Sequence, residues 1–257
     1  MKIFNIFIFT CFISLTAFSQ PRENSTEPLP EMSFLRDNFK EALAQAKATH
    51  KMVFFDAYTT WCGPCKMMVR KTFTDTSVAA FYNEHFVNIT IEMESGDGPA
   101  LQERYKITAY PTLLFLNEDG GLVHKAVGFH DAQQFLALGK AALTTDETFI
   151  SWVNRYENGQ KDPVFLKTYA EKLLEANDDR RFVIAEKYLS TQNNRLTPEN
   201  LEFSMRFTEG VETSFFKFLI DNQKAFQTKF TKDEIDLKIQ AELREEPECQ
   251  HTLVPRP

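Results

Sequence analysis

The stretch Phe54–Lys66, "FFDAYTTWCGPCK", places two cysteines around Gly63 and Pro64, with Trp61 directly before them. Such a pair can be half of a zinc site, a structural disulfide or a redox centre. A closed structural zinc site needs four ligands, normally a second cysteine pair or two spaced histidines. The next cysteine, Cys249, lies far downstream, and His50, His85, His124 and His130 have no metal-ligand spacing. No metal is expected. A bridge across two residues closes too small a loop to restrict the unfolded chain much, which disfavours a purely structural role. A redox role has positive support. The apolar run Met52–Tyr58 suits a buried strand, and a helix opening at the pair would set Cys62 at its N-terminus, where free N–H groups and the dipole favour a thiolate. Pro64 fits the first turn, where a missing N–H is tolerated. Cys65, one turn on, is then expected to be buried and able to resolve a mixed disulfide.

Outward from this motif, "SFLRDNFKEALAQAKATHK" reads as an amphipathic helix, with Phe34, Leu35, Phe39, Leu43 and Ala46 at helical spacing. The helix begun at the cysteines is expected to run through Met67, Met68 and Val69 and past Phe73 after a bend. A helix near Val78–Glu84, a strand "FVNITIE" and a helix around Ala100–Tyr105 follow. In "YPTLLFLNEDGGLVHKAVG" two apolar runs flank Asp119-Gly120-Gly121, a hairpin signature. Asp131 then caps "AQQFLALGKAAL". The order α-β-α-β-α-β-β-α implies a mixed sheet, part parallel with an antiparallel hairpin at one end, flanked by helices.

Beyond Glu147 the pattern turns helical, with breaks at "NGQKDP", "NDD", "NNRLTP" and "EGVET". Five or so helices are expected, forming a small all-α domain. Phe215, Phe216, Phe218, Leu219, Phe226 and Phe230 form one aromatic face of it, core-facing by periodicity. The division is 1–19 signal peptide, 20–32 linker, 33–145 α/β domain, 149–243 helical domain and 244–257 disordered tail. Lys2, the apolar run Ile3–Phe18 and the small residues Ala17 and Ser19 support an exported chain cleaved after Ser19, in a periplasm or equivalent space. Cys11 would leave with that segment. Of the 257 residues 43% are hydrophobic, which fits a globular protein. A net charge of −7 without a basic stripe argues against a nucleic-acid partner.

"FFDAYTTWCGPCK" and "ITAYPTLLFLNEDG" resemble the active-site and cis-proline segments of thioredoxins. Residues 33–143 look most like the thioredoxin-like C-terminal domain of the DsbD interchange proteins. The resemblance implies a thioredoxin-like fold and a thiol:disulfide oxidoreductase without cofactor. Cys62 would be its attacking and Cys65 its resolving thiol, Asp56 the buried acid that moves a proton, and Pro111 the cis-proline. Trp61, Gly63, Pro64 and Tyr110 would contact substrate, and Lys66 would lie near the thiolate. Expected partners are a protein or small-molecule disulfide and a membrane thiol electron donor; the oligomeric state is open. Two departures stand out: Asn88 or Thr90 occupies the place of a buried lysine, and Tyr110 replaces a smaller residue. Gly-Pro between the cysteines favours reduction over oxidation. The rival from another class is a scaffold protein whose helical domain binds a partner, with a minor redox role.

Overall fold

The computed structural model describes residues 31–244. The signal-peptide and tail expectations, with Cys11 and Cys249, lie outside the described residues. The chain begins with a short strand β1 (Leu35–Arg36), helix α1 (Phe39–Thr49) and strand β2 (Met52–Tyr58). This corrects the helix expected from Ser33 onward. Asp37 takes a left-handed φ of 50°, and Asn38 caps α1 by accepting the Glu41 N–H. Leu35 and Arg36 are thereby freed to pair with Ile89 and Thr90.

Helix α2 (Gly63–Met67) leads into one π turn (Met68–Thr72), then α3 (Thr76–His85), β3 (Phe86–Glu92), α4 (Gly98–Tyr105), β4 (Thr112–Leu116), β5 (Leu122–Val127) and α5 (Ala132–Leu143). The sheet order is β1-β3-β2-β4-β5, parallel on the β1-β3-β2 side and antiparallel from β2 through β4 to β5. The expected mixed sheet is present. Its hairpin turns at Gly120, with φ of 77°, while the Asn117 side chain accepts from the N–H groups of Asp119 and Gly121. Asp131 and Gln134 form a full capping box at α5.

Alternation along β2 fixes what lies over and under the sheet. Val53, Phe55 and Ala57 enter an apolar cluster with α1 and α4, whereas Phe54 enters the opposite cluster with Met68, Phe73, Tyr82 and Phe135. Asp56 shares the parity of Phe54 and is therefore carried into the interior on the side of α2.

After a 3₁₀ turn (Thr145–Glu147) come α6 (Phe149–Glu157), α7 (Pro163–Glu175), α8 (Arg180–Ser190), α9 (Pro198–Arg206), α10 (Ser214–Asp221), α11 (Gln223–Phe226) and α12 (Lys232–Arg244). Among the described residues seven helices thus stand where five or so were expected, one of them the short α11 that Asn222 separates from α10. The aromatic face also divides. Phe215 joins the cluster built on α6–α9, while Leu219 and Phe226 form a second one with Leu201 and Ile235. No helix among the described residues is long and apolar enough to cross a membrane.

The helices meet the sheet at β5. Leu122 packs on the α6–α9 cluster, and the His124 Nδ1 accepts the Phe149 N–H at 2.9 Å. The ring proton then sits on Nε2, which has no partner among the described residues. Burial, with Lys172 adding to it, lowers the His124 pKa to about 4. A depressed histidine pKa contributes stability that is full above the unfolded value of 6.5. It is lost as pH falls toward 4, on the order of 3 kcal/mol in all. His124→Gln, whose amide oxygen can accept the same N–H, should remove this share of the acid sensitivity. Urea unfolding of both proteins at pH 7 and pH 4.5 reads the difference.

Candidate functional site

Strand β2 ends at Tyr58, and the turn Thr59–Trp61 delivers Cys62 to the N-cap of α2. Cys62 and Cys65 form a disulfide, with Cα atoms 5.3 Å apart. Both are buried, and the Cys65 N–H donates to the Cys62 Sγ at 3.1 Å. Pro64 stands in the first turn of α2, as its lack of an N–H predicts. The helix is shorter than expected. The Phe73 N–H bonds to the Met68 carbonyl, five residues back, and opens the π turn. This turn grips the loop after β5: the Thr72 hydroxyl donates to the His130 carbonyl at 2.6 Å, and the His130 N–H donates to the Met68 Sδ.

Asp56 is 3% exposed, and its register partner on β3 is Thr90. The Thr90 hydroxyl donates to Oδ2 at 3.3 Å, while Oδ1 has no hydrogen-bond partner among the described residues. Burial pushes the carboxyl pKa up to about 7, against the smaller downward pull of the Thr90 hydroxyl. Between the two sequence candidates for the position facing the acid, Thr90 takes it. Asn88 lies opposite Phe54 and bonds instead to the Ser33 carbonyl and the Asn83 side chain. Thr90→Val should raise the proton affinity of Asp56 by up to about tenfold, because a bond favouring the carboxylate is lost. Carbon-13 titration of the Asp56 carboxyl measures it.

The Tyr110–Pro111 bond is cis, and Pro111 is buried at the start of β4. Tyr110 stands edge-on to Trp61, with ring centroids 6.0 Å apart. Each ring is tied at its polar end. The Tyr110 hydroxyl donates to Gln102 Oε1 at 2.9 Å, and the Trp61 Nε1–H donates to Glu94 Oε1 at 3.0 Å. Trp61 is nevertheless 63% exposed. Burial, then the charges of Glu94 and Glu92, raises the Tyr110 pKa above its ordinary value. Lys66 and Gly63 are exposed on α2. Glu94 and Gln102 were not legible from sequence, since neither lies in a motif and both act across loops that the register of β3 and the turn of α4 bring together.

Residues 39–143 match the model of a thioredoxin-like domain. This part of the chain is a thioredoxin-like domain. It is similar to the thiol:disulfide interchange protein DsbD of Pseudoalteromonas atlantica, 34% identical over 110 residues, 42% of this chain and 19% of that protein. The DsbD of Ralstonia nicotianae is 36% identical over 107 residues, 41% of this chain and 18% of that protein. The chain thus spans about a fifth of the length of these curated relatives. Among solved structures, a candidate disulphide-isomerase from Bacteroides thetaiotaomicron is 41% identical, covering 45% of this chain and 96% of that one, with a TM-score of 0.42. The match to the family model falls within the α/β part.

Proposed function

We propose that the chain is an exported thiol:disulfide oxidoreductase that reduces disulfides of partner proteins through Cys62 and Cys65. The observation that carries this is the Cys62–Cys65 bond at the N-terminus of α2, beside the buried Asp56. In the reduced protein the Cys62 thiolate attacks a partner disulfide. One S–S bond forms between Cys62 and the partner, and the partner's other sulfur leaves as a thiolate. The Cys65 thiol passes its proton to the Asp56 carboxylate and attacks the Cys62 Sγ. The second partner sulfur leaves, and the protein holds the Cys62–Cys65 disulfide. Two electrons have moved to the partner, so a thiol donor must return two; a membrane thiol carrier would supply them.

The Cys65 N–H, already directed at the Cys62 Sγ, supports the thiolate of the attacking residue. Trp61, Gly63, Pro64 and Tyr110 would border the position where a partner segment lies, a reading that the edge-on contact of Tyr110 with Trp61 and the cis bond to Pro111 support. Apolar clusters on either side of the 3₁₀ turn support a division into an α/β domain over 33–145 and a helical domain over 149–243. A Cys65→Ser chain expressed with its leader should accumulate mixed disulfides in the exported fraction, and the captured proteins identify partner and direction. A chain that stays in the cytosolic fraction, or captures nothing through Cys62, overturns the proposal.

A further inference from the structure

A groove of about 420 Å³ opens beside Cys65, and Cys62, Trp61, Tyr110 and Pro111 take no part in it. This volume lies within the range of small-molecule sites, roughly 300–1,000 Å³. Met32, Phe34, Val69 and Phe73 supply apolar walls, and Val69 is 55% exposed, an apolar side chain left in water at the mouth. Arg36, Lys66 and Arg70 also line the groove, and none of the three forms an ion pair among the described residues. Against them stand two carboxyl groups, Glu31 and the buried Asp56. Asp56 and Thr59, both under 4% exposed, line it too, and each leaves one oxygen without a hydrogen-bond partner among the described residues.

The geometry points to a binding site for a small amphipathic anion, a flat apolar body carrying one carboxylate or sulfonate. Burying the body removes apolar surface of ligand and walls from water. The acidic group would meet the unpaired guanidinium groups, Arg70 above all, because it belongs to the same turn as Val69. Ligand seated there would lie against Cys65 and Asp56 without covering the face that Trp61 and Tyr110 form.

The probe is 8-anilinonaphthalene-1-sulfonate added to the oxidised protein and followed by amide NMR. Saturable shifts should centre on Phe34, Val69 and Phe73. Arg70→Glu and Val69→Glu should each weaken binding at least about tenfold, and Arg70→Lys much less. N-phenyl-1-naphthylamine, the same body without the sulfonate, should bind at least about tenfold more weakly. Shifts scattered over the surface or centred on Trp61 and the later helices would overturn the proposal, as would affinity unchanged in both glutamate variants. Binding is read without turnover. A chain that binds the probe but fails to reduce insulin therefore counts against the redox proposal alone.

Discussion

Cys62→Ser should lower insulin-disulfide reduction by more than about a hundredfold, to the uncatalysed background, because a serine hydroxyl at neutral pH cannot replace a thiolate nucleophile. The substitution is nearly isosteric and the serine oxygen can still accept the Cys65 N–H, so the fold should survive; unchanged far-ultraviolet circular dichroism checks this. Cys65→Ser should behave differently. It keeps the attacking thiol, loses turnover and accumulates a covalent intermediate. Equal loss with no intermediate in either variant would mean that the two thiols do not act in sequence.

Asp56→Asn should stabilise the protein and slow it, with both effects strongest in mildly alkaline solution. The folded-state pKa of Asp56 is raised from 3.8 to about 7, so the folded chain holds this proton more tightly than the unfolded one. Stability from this group is therefore greatest below pH 3.8 and falls as pH rises through 7. The full difference between 3.8 and about 7 is on the order of 4 kcal/mol. At pH 8 the native protein carries a buried carboxylate that the amide variant lacks. Urea midpoints should thus favour Asp56→Asn at pH 8 and converge toward the native value near pH 4. For catalysis the sign reverses. The ionised carboxyl is the form that accepts the Cys65 proton, so resolution of a mixed disulfide should quicken with pH around 7 in the native chain. In the variant that inflection should disappear. Stopped-flow resolution rates from pH 5.5 to 8.5 measure it.

The parts of the molecule that follow local rules were legible in the sequence. The apolar run of β2, the hairpin at Gly120 and the cap at Asp131 each rest on neighbouring residues, and each stands where expected. Strand β1 did not, because two residues carry no period. Only the left-handed Asp37 and the free edge of β3 make Leu35 and Arg36 a strand. The π turn is equally silent in sequence, since the loop at His130 that holds Met68 and Thr72 lies about sixty residues away. At the site the two cysteines announced themselves through their spacing. The choice of Thr90 over Asn88 needed the β2–β3 register. The bonds that Gln102 and Glu94 accept needed α4 and the end of β3 folded against the site. The role of His124 depends on Phe149, which lies 25 residues on and donates its N–H to the ring.

The central claim is that Cys62 attacks and Cys65 resolves. Its most direct measurement is mass spectrometry of the reduced Cys65→Ser protein after exposure to a model peptide disulfide. One stable adduct of a single peptide, mapped by proteolysis to Cys62, is the predicted result, with no such adduct accumulating on the native chain. An adduct confined to Cys249, or the same stable Cys62 adduct on the native chain, would contradict the account.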